Sequence, residues 1–508
     1  MTRWSRVPAA LLALAVLVSC SSGGDGSAPD SSASPRASDT STAPTPDLAR
    51  FYGQQVEWAD CKGGFECARV VVPVDYADPD GPTLEVAVNR LPASGDRIGA
   101  LFVNPGGPGV SGLSYARAAS SIVSKSVRER YDVVGFDPRG VGASQGVDCL
   151  ADAQLDAFIA ADGTPDDAAE EQDLLRQSAL LADGCRADSP TLVAHLGTRD
   201  AARDLDVLRA ALGDRQLTYL GSSYGTYLGA MYAELFPRRV GRLVLGGAMD
   251  PATTSVEVAT QQAIGFQRAL GAFLDDCVSR SACPFTGDRA AAEEQLTELF
   301  AEIDDTPLKG VGKRRLTQSL AMIGTAWALY DKGSWQFLRM ALSRAGNGDG
   351  EYLMLLADSY ADRGPGGRYT SNANEATYAV NCLDRPPEPD VQKVRAAAAE
   401  VAEVAPFLGP YIVWSTLPCS TWPAPPQGDP APVDAKGSNP ILVVGTTRDP
   451  ATPYEWAESL TAQLDAGHLL TREGDGHTAY REGNGCIDSA VDAYLLDGTI
   501  PPAGTRCR

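Results

Sequence analysis

A strand, turn and helix pattern around Ser223 constrains the fold more than any other part of the chain. The β-prone run Thr218–Leu220 ends in Gly221-x-Ser223-x-Gly225 and passes directly into an apolar, helix-forming run that ends at Pro237. A serine on so tight a turn takes a strained backbone conformation, and glycines two residues away on either side let the strand and the helix pass closely. The pattern therefore predicts a nucleophile elbow with Ser223 as the nucleophile.

A second match to the same pattern, Gly142-Ala-Ser144-Gln-Gly146, serves as an internal control. The chain has 51 glycines in 508 residues, so an accidental match is expected. Ser144 follows Asp137-Pro-Arg-Gly140 rather than a strand, and no clear apolar helix begins after it. We interpret Ser144 as a loop residue and Ser223 as the nucleophile, the alternative for Ser223 being a structural serine.

The base that accepts the serine proton is sought among the three histidines of the chain. In α/β-hydrolases the chain order is serine, acid, histidine, which disfavours His195 because it precedes Ser223. His468 opens the predicted strand His-Leu-Leu-Thr, whereas His477 lies in a glycine-flanked loop directly after that strand. A loop histidine can reach a serine, so we expect His477 to be the base. The alternative is a loop histidine bonded to the backbone.

The acid that orients the base is expected after a buried strand. Ile441–Gly445 is part of a continuous apolar run, as a parallel strand buried on both faces requires. Asp449 follows its carboxyl end, where ligands meet open α/β sheets. Asp250 follows the earlier run Arg242–Met249 and is the alternative, because some hydrolases place the acid one strand earlier. Either aspartate could instead cap a turn.

Backbone amides are expected to stabilise the oxyanion of a tetrahedral intermediate. One donor is predicted at Tyr224, the residue after the nucleophile. A second is predicted in Pro105-Gly-Gly-Pro-Gly109, a loop that follows the apolar run Ala100–Asn104. Gly107 is the first choice and Gly106 the second, because glycine lets the backbone approach a substrate closely. Taken alone, this loop could also be a turn without a function.

These motifs together resemble the secreted bacterial tripeptidyl aminopeptidases, from about residue 60 to the C-terminus. The resemblance rests on Asn104-Pro-Gly-Gly-Pro-Gly109, Asp137-Pro-Arg-Gly140, Gly221-Ser-Ser-Tyr-Gly-Thr226, Arg448-Asp449 and Gly476-His477-Thr478. It implies a serine peptidase of the α/β-hydrolase fold, related to prolyl iminopeptidases, that uses no cofactor and acts on peptides. It also implies Ser223 as nucleophile, Asp449 as acid and His477 as base. Prolyl iminopeptidases carry His-Gly-Gly-Pro-Gly in the oxyanion loop, so Asn104-Pro105 places this chain closer to the tripeptidyl branch.

The distribution of strand-like and helical runs along the chain predicts its domain organisation. Strand-like runs at both ends alternate with helical runs, which indicates a mostly parallel sheet. Between Asp250 and about Val433 helical periodicity prevails, in the runs 256–278, 290–303, 316–329, 335–345 and 391–404. We therefore predict an α/β-hydrolase core formed by residues 48–250 and 436–508, with a large helical cap insertion at 251–435 that covers the nucleophile and shapes the substrate pocket.

Two acidic residues of this insertion are candidates for binding a substrate N-terminus. An aminopeptidase must recognise a free α-ammonium group, and a carboxylate at the closed end of the cleft can do so. Glu375 and Asp384 lie in a segment that Cys382 would fix if it were bridged to Cys419. The alternative for each is a solvent-facing acid.

Two other functions are compatible with these residues. A carboxylesterase would use the same triad on lipid or small esters and would need an apolar tunnel. A catalytically idle hydrolase fold could act as a surface-binding module, but it would have no need of Ser223, Asp449 and His477 together.

The first 47 residues predict export. Residues 1–19 predict a signal peptide, because two arginines precede an apolar core at 8–18 that is too short to span a bilayer stably. Leu17-Val-Ser-Cys20 resembles the bacterial lipobox, so Cys20 is predicted to be lipidated, the alternative being an ordinary secretory signal. Residues 20–47 are almost entirely small or polar and predict a disordered tether. We expect a lipoprotein on the outer face of the cell membrane or shed from it.

The cysteine count indicates the redox compartment, and the motifs and net charge limit the possible ligands and partners. Eleven cysteines less Cys20 leave an even ten, as expected in an oxidising compartment. Neighbour pairing suggests five disulfides, although the sequence leaves other connectivities open: Cys61–Cys67, Cys149–Cys185, Cys277–Cys283, Cys382–Cys419 and Cys486–Cys507. The sequence contains neither a zinc-spaced Cys/His cluster nor a phosphate-binding P-loop, so no metal is expected. A net charge of −22, spread along the chain, argues against nucleic acid as a partner.

Overall fold

The computed structural model describes residues 43–508. The predicted signal peptide, Cys20 and residues 21–42 of the predicted tether lie outside the described residues. Of the remaining tether, Pro46 and Asp47 belong to a 3-10 turn, Pro46–Leu48, that leads into the first helix. Leu48, Phe51 and Tyr52 are buried in the core and hold this end of the segment in place. None of the described helices combines the length and the apolar character needed to cross a membrane.

Ten strands form one large sheet and two form a separate hairpin, counted over residues 43–508. The strands are β1 Ala59–Asp60, β2 Glu66–Pro73, β3 Thr83–Leu91, β4 Gly99–Asn104, β5 Tyr131–Phe136, β6 Leu217–Ser222, β7 Val240–Gly246, β8 Leu308–Lys309, β9 Arg315–Leu316, β10 Ile441–Arg448, β11 Gly467–Asp475 and β12 Arg506–Cys507. The order in the sheet is β1-β2-β3-β5-β4-β6-β7-β10-β11-β12, and β8 pairs with β9.

Helices connect most of these strands. They are α1 Ala49–Tyr52, α2 Gly112–Arg117, α3 Ala119–Ile122, α4 Lys125–Arg130, α5 Asp152–Ala160, α6 Ala168–Asp188, α7 Thr198–Ala211, α8 Tyr224–Leu235, α9 Ser255–Val278, α10 Arg289–Asp305, α11 Gln318–Leu329, α12 Trp335–Ala345, α13 Glu351–Tyr360, α14 Ala373–Asp384, α15 Val391–Ala402, α16 Gly409–Trp414, α17 Tyr454–Gln463 and α18 Gly485–Asp497. Further 3-10 turns cover Pro237–Arg239, Lys332–Ser334 and Leu417–Thr421.

The sheet is antiparallel at one end and parallel through its centre. β3 pairs antiparallel with β2 and β5, whereas every pairing from β5 to β12 is parallel. Helices cover both faces, so alternate residues of the central strands enter two different apolar clusters. On β4, Phe102 packs on one side of the sheet and Leu101 and Val103 on the other. The predicted α/β-hydrolase fold is confirmed.

The segment between β7 and β10 is mostly helical, in the region where the sequence predicts the insertion, and is called the insertion below. It contains α9 to α16 and the short hairpin β8–β9, which the sequence did not reveal because two-residue strands carry no periodicity. Many apolar side chains of the insertion, such as Phe273, Leu296 and Trp335, form a separate cluster, which Ala451 of the core also joins. Its first helix begins with a reciprocal capping box between Thr254 and Glu257.

The structure contains the five disulfides that neighbour pairing suggested. Their Cα–Cα distances range from 4.2 Å at Cys149–Cys185 to 5.7 Å at Cys61–Cys67. Two of the bridges, Cys277–Cys283 and Cys382–Cys419, lie inside the insertion, and the other three lie in the core.

Candidate active site

Ser223 lies on the sharp turn between β6 and α8. Its backbone has φ +55° and ψ −128°, a region that L-residues rarely occupy and that costs about 1–3 kcal/mol. The turn is held by hydrogen bonds: the Ser223 amide donates to the Gly246 carbonyl at 2.9 Å, and the Thr226 hydroxyl donates to the Ser223 carbonyl at 2.6 Å. A Cβ on Gly221 would lie 2.4 Å from the Gly225 carbonyl oxygen, so strand and helix pass as closely as predicted.

Asp449 and His477 are hydrogen-bonded to each other. They follow β10 and β11, which are parallel neighbours, so both loops leave the same edge of the sheet. The His477 Nδ1 atom lies 2.9 Å from Asp449 Oδ1 and 3.0 Å from Oδ2. Asp449 is only 2% exposed and also accepts hydrogen bonds from the amides of Ala451, Thr452 and Thr478. This carboxylate is therefore fixed in orientation against the imidazole.

Two residues that contact His477 were not anticipated from the sequence. The Thr452 hydroxyl donates to Asp449 Oδ2 at 3.0 Å and lies 3.3 Å from His477 Nδ1. Tyr330, from the insertion, accepts a hydrogen bond from the His477 amide at 2.8 Å and places its ring edge-on to the imidazole, 5.2 Å away. The spacing Asp449-x-x-Thr452 after a strand is a local capping pattern that could have indicated the threonine. Nothing in the local sequence indicates Tyr330.

The free nitrogen of His477 faces the interior of the site. Its Nε2 atom is buried and has no hydrogen-bond partner among the described residues. The imidazole lies close to the elbow, because a Cβ on Gly247 would be 3.2 Å from His477 Cε1. Gly247 directly follows Gly246, whose carbonyl binds the Ser223 amide. The structure thus brings the elbow and the Asp449–His477 pair together.

The loop after β4 packs against the elbow. The Asn104 side chain accepts a hydrogen bond from the Gly106 amide at 2.9 Å, so that amide is already occupied. A Cβ on Gly106 would be 2.5 Å from the Ser222 carbonyl oxygen and 2.8 Å from the Tyr224 nitrogen, which only glycine avoids. The amides of Gly107 and Tyr224 donate to no acceptor among residues 43–508. The geometry therefore favours Gly107 over Gly106 as the second amide donor.

The alternative residues have other partners. Ser144 is fully buried, donates to the Asp137 carbonyl at 2.7 Å and accepts from the Ala87 amide, as a structural loop residue would. Asp250 accepts from the Gln463 side chain at 2.7 Å. His195 lies 3.9 Å from an Asp200 oxygen, and His468 pairs with Leu442 within the sheet.

Glu375 and Asp384 are buried rather than solvent-facing, with exposures of 3% and 4%. Glu375 accepts a hydrogen bond from the Leu150 amide at 2.7 Å, and Asp384 accepts from the amide and hydroxyl of Thr198. Burial raises the pKa of Glu375 to about 7 and that of Asp384 to about 6. Both carboxylates thus already bind groups of the core.

The insertion contacts the site on two sides. The Thr377 hydroxyl of α14 lies 2.7 Å from the carbonyl oxygens of both Pro108, which follows Gly107, and Ala373 of its own helix, so its proton is shared between them. On the other side, next to His477, lies a cavity of about 440 Å³. It is lined by Tyr330, Asp331, Lys332, Arg472, Gly474, Asp475, Gly476, His477 and Glu482. Neither Glu375 nor Asp384 lines this cavity.

The acidic residues that line this cavity differ in how closely they are paired with cations. Asp475 accepts hydrogen bonds from Arg448 and Lys332; burial raises its pKa, but these two cations hold it below the usual value. Burial also raises the pKa of Glu482, which Arg472 partly opposes. The cavity therefore presents both signs of charge to a ligand beside His477.

Proteins of known name match nearly the whole chain. It is 41% identical over 477 residues to serine protease Hip1 of Mycobacterium tuberculosis, covering 90% of this chain and 91% of that protein. It is 38% identical over 450 residues to carboxylesterase B of M. tuberculosis, covering 87% and 86%. It is 34% identical over 475 residues to the tripeptidyl aminopeptidase of Streptomyces coelicolor, covering 90% and 87%.

A family model described as TAP-like protein also matches residues 405–507, which include Asp449 and His477. These matches and the fold confirm the resemblance drawn from the motifs. The chain is a serine peptidase, and it belongs to the tripeptidyl-aminopeptidase family of α/β-hydrolases.

Proposed function

We propose that the protein is an exported serine peptidase that releases short peptides, specifically tripeptides, from free N-termini. The observation that carries the proposal is the juxtaposition of a strained Ser223 with the Asp449–His477 pair and with two unoccupied amides, those of Tyr224 and Gly107. This is the set of groups that acyl transfer to a serine requires.

In the proposed acylation step, the Ser223 Oγ attacks the carbonyl carbon of the third peptide bond. His477 Nε2 accepts the hydroxyl proton, and Asp449 stabilises the imidazolium through Nδ1. The oxyanion of the tetrahedral intermediate accepts hydrogen bonds from the Tyr224 and Gly107 amides. These donors are fixed by α8 and by the loop after β4, so they need little reorganisation as the charge develops.

When the proposed tetrahedral intermediate collapses, His477 donates its proton to the leaving amine, and the acyl group remains on Ser223 as an ester. Water then takes the place of the amine, loses a proton to His477 and attacks the ester carbonyl. The released acid is the short peptide, and Ser223 regains its proton. Every proton transfer in this cycle is assigned to side chains of the chain itself.

The tripeptide specificity is supported by the relative named tripeptidyl aminopeptidase, and the insertion contacts the site at Pro108 and at His477. Glu375 and Asp384 stay predictions as partners of the substrate ammonium group. Their carboxylates are occupied by amides of Leu150 and Thr198, and this geometry does not support the role.

A panel of chromogenic substrates tests this proposal. Aminoacyl, dipeptidyl and tripeptidyl substrates with free N-termini are compared with N-acetylated tripeptides and with short-chain esters. The tripeptide with a free N-terminus is expected to have the highest kcat/KM, and acetylation is expected to lower it at least tenfold, because it removes the positive charge that an aminopeptidase must recognise. Equal turnover of free and acetylated tripeptides would reject the aminopeptidase assignment.

Ester hydrolysis is the second candidate function, favoured by the relative named carboxylesterase B. The triad chemistry is the same for esters and amides, so only the substrate panel separates them. Hydrolysis of esters with no measurable peptide cleavage would replace the peptidase proposal with this one.

We also propose that Cys20 carries a lipid anchor, on the basis of the lipobox-like sequence before it. Two acyl chains on a cysteine give stable membrane attachment, whereas one is marginal. The variant Cys20→Ala should leave the membrane fraction or remain unprocessed. Recovery of the native protein as a soluble species with an unmodified N-terminus would contradict the anchor.

A further inference from the structure

A buried chain of hydrogen bonds connects the elbow to the end of helix α14. The Tyr224 hydroxyl lies 2.5 Å from Thr198 Oγ1, and Thr198 Oγ1 lies 2.5 Å from Asp384 Oδ2. The Thr198 amide also donates to Asp384 Oδ1 at 2.7 Å. Tyr224, Thr198 and Asp384 are 3%, 0% and 4% exposed, so all three are shielded from water.

The donors in this chain have a fixed direction when Asp384 is ionised. A carboxylate only accepts hydrogen bonds, so the Thr198 hydroxyl proton points to Asp384. The Tyr224 hydroxyl must then donate to Thr198 Oγ1. Burial raises the pKa of Tyr224, which keeps this phenol protonated and able to donate. Low local dielectric strengthens such a chain and makes any broken bond in it costly.

Tyr224 also carries one of the two amides proposed to bind the oxyanion. It is the first residue of α8, directly after the strained Ser223, so its amide has no partner within the helix. Holding the phenol at the far end of the side chain restricts the rotation of the residue and therefore the direction of its N–H group. An oxyanion donor contributes most when it is oriented before the charge develops.

We infer that Asp384 is a positioning residue for catalysis, which acts through Thr198 and Tyr224 on the oxyanion hole. This inference rests on the proposed function, because it assumes that the Tyr224 amide binds the oxyanion. It gives Asp384 a role different from contact with the substrate ammonium group. It also makes the last residue of an insertion helix part of the support for the elbow.

The surroundings of Asp384 make the chain sensitive to pH. Burial raises the pKa of Asp384 to about 6. The hydrogen bonds from Thr198 and the charge of Arg385 lower this pKa, whereas the charge of Asp200 of α7 raises it. From α8, Tyr224 and Tyr227 face the same group, and the Arg385 guanidinium stacks on Tyr227 at 4.7 Å. Above about pH 6 the carboxylate is ionised and the chain is intact. Below it, the protonated carboxyl no longer holds the Thr198 hydroxyl in one direction.

The inference is tested with Asp384→Asn, Tyr224→Phe and the double variant, on a free tripeptide and on a small neutral ester. Both single variants are expected to lower kcat about tenfold on both substrates, with KM little changed, because a loosened donor costs less than a removed one. The double variant is expected to match the single ones, because the two residues act through one chain. The control variant is Asp214→Asn. The Asp214 carboxylate also accepts a hydrogen bond from a backbone amide, that of Ala100, but it lies at the end of β4 away from the elbow.

The acid side of the pH profile gives a second readout. Protonation of Asp384 removes the same acceptor as Asp384→Asn, so kcat/KM should show an additional fall of about tenfold as the pH drops through the pKa of this carboxyl. Asp384→Asn and Tyr224→Phe should each remove this tenfold step from the pH profile, while Asp214→Asn should keep it.

Three results would overturn the inference. Loss of peptide cleavage with normal ester turnover in Asp384→Asn would assign the residue to substrate binding instead. A further loss from Asp384→Asn in the Tyr224→Phe background would show that Asp384 acts by another route. A tenfold acid step that persists in both variants would remove the proposed link. Equal turnover of free and acetylated peptides by the native enzyme would instead reject the proposed function, whatever these variants do.

Discussion

The core and the insertion contribute to the candidate active site in different ways. The core supplies reactive groups at strand ends: Ser223 after β6, Asp449 after β10 and His477 after β11. The insertion supplies contacts that surround those groups, namely the Tyr330 ring and carbonyl against His477 and the Thr377 hydroxyl against Pro108. Removing a core group should therefore abolish the chemistry, whereas changing the insertion should adjust it.

The two regions also differ in how they are held together. The core strands are joined in one sheet that is parallel from β5 to β12, whereas many apolar side chains of the insertion form a separate cluster. Polar contacts join α14 and its N-cap residue Asn372 to core loops: Asn372 binds Gly140, Gly142 and Val147 at the edge of this interface, and Glu375 binds Leu150 inside it. An interface with buried carboxylates depends on pH in a way that an apolar core does not.

The largest expected effect comes from the core groups. Ser223→Ala should abolish turnover and labelling by a fluorophosphonate probe, and His477→Ala and Asp449→Asn should each lower kcat about 10⁴-fold, because the members of a triad act together. The controls are Asp250→Asn and Ser144→Ala. Ser144→Ala should lose stability, because its two buried partners are left unsatisfied, but the folded fraction should still label at Ser223. Labelling that depends on Ser144 would overturn the assignment.

A smaller effect is expected where α14 meets the core. The pKa of Glu375 is raised from 4.5 to about 7, so between these pH values the folded state binds more protons than the unfolded state and stability falls as pH rises. A shift of this size corresponds to about 3 kcal/mol. Glu375→Gln should keep the acceptor for the Leu150 amide and remove most of this fall. Urea unfolding at pH 5 and pH 8, with the disulfides intact, measures the change in the free energy of unfolding. An equal decrease in the variant and the native protein would contradict the burial argument.

The smallest effect is expected from the insertion ring that covers His477. Tyr330→Ala removes an edge-on aromatic contact, which contributes about 0.5–1.5 kcal/mol, so kcat/KM should fall up to about tenfold. Tyr330→Phe keeps the ring and the carbonyl that binds the His477 amide, and its activity should stay near normal. A Tyr330→Phe variant as impaired as Tyr330→Ala would show that the hydroxyl, and not the ring, matters.

Residues at strand ends could be predicted because their signals are local. The elbow around Ser223, the apolar run before Asp449 and the glycine-flanked His477 each occupy fewer than about fifteen residues of sequence, and parallel strands place their ends at one edge. The choice of Gly107 over Gly106 needed the structure, since it depends on where the Asn104 side chain accepts its hydrogen bond.

Residues whose partners lie far along the chain could not be predicted. Glu375 binds an amide 225 positions away and Asp384 one 186 positions away, so sequence alone presented them only as acids on a helix. Tyr330 meets His477 only after the insertion has folded against the core. Their burial and contacts arise from tertiary packing, which no periodicity in the insertion encodes.

The arrangement of the disulfides has a consequence for biogenesis. The five bridges join cysteines separated by 6, 36, 6, 37 and 21 positions, and no bridge interleaves with another among the described residues. For a chain that enters an oxidising compartment N-terminus first, with Cys20 acylated as proposed, each of these ten cysteines therefore meets its native partner before the next pair arrives. If the cysteines are oxidised in the order in which they arrive, the native disulfides form without reshuffling.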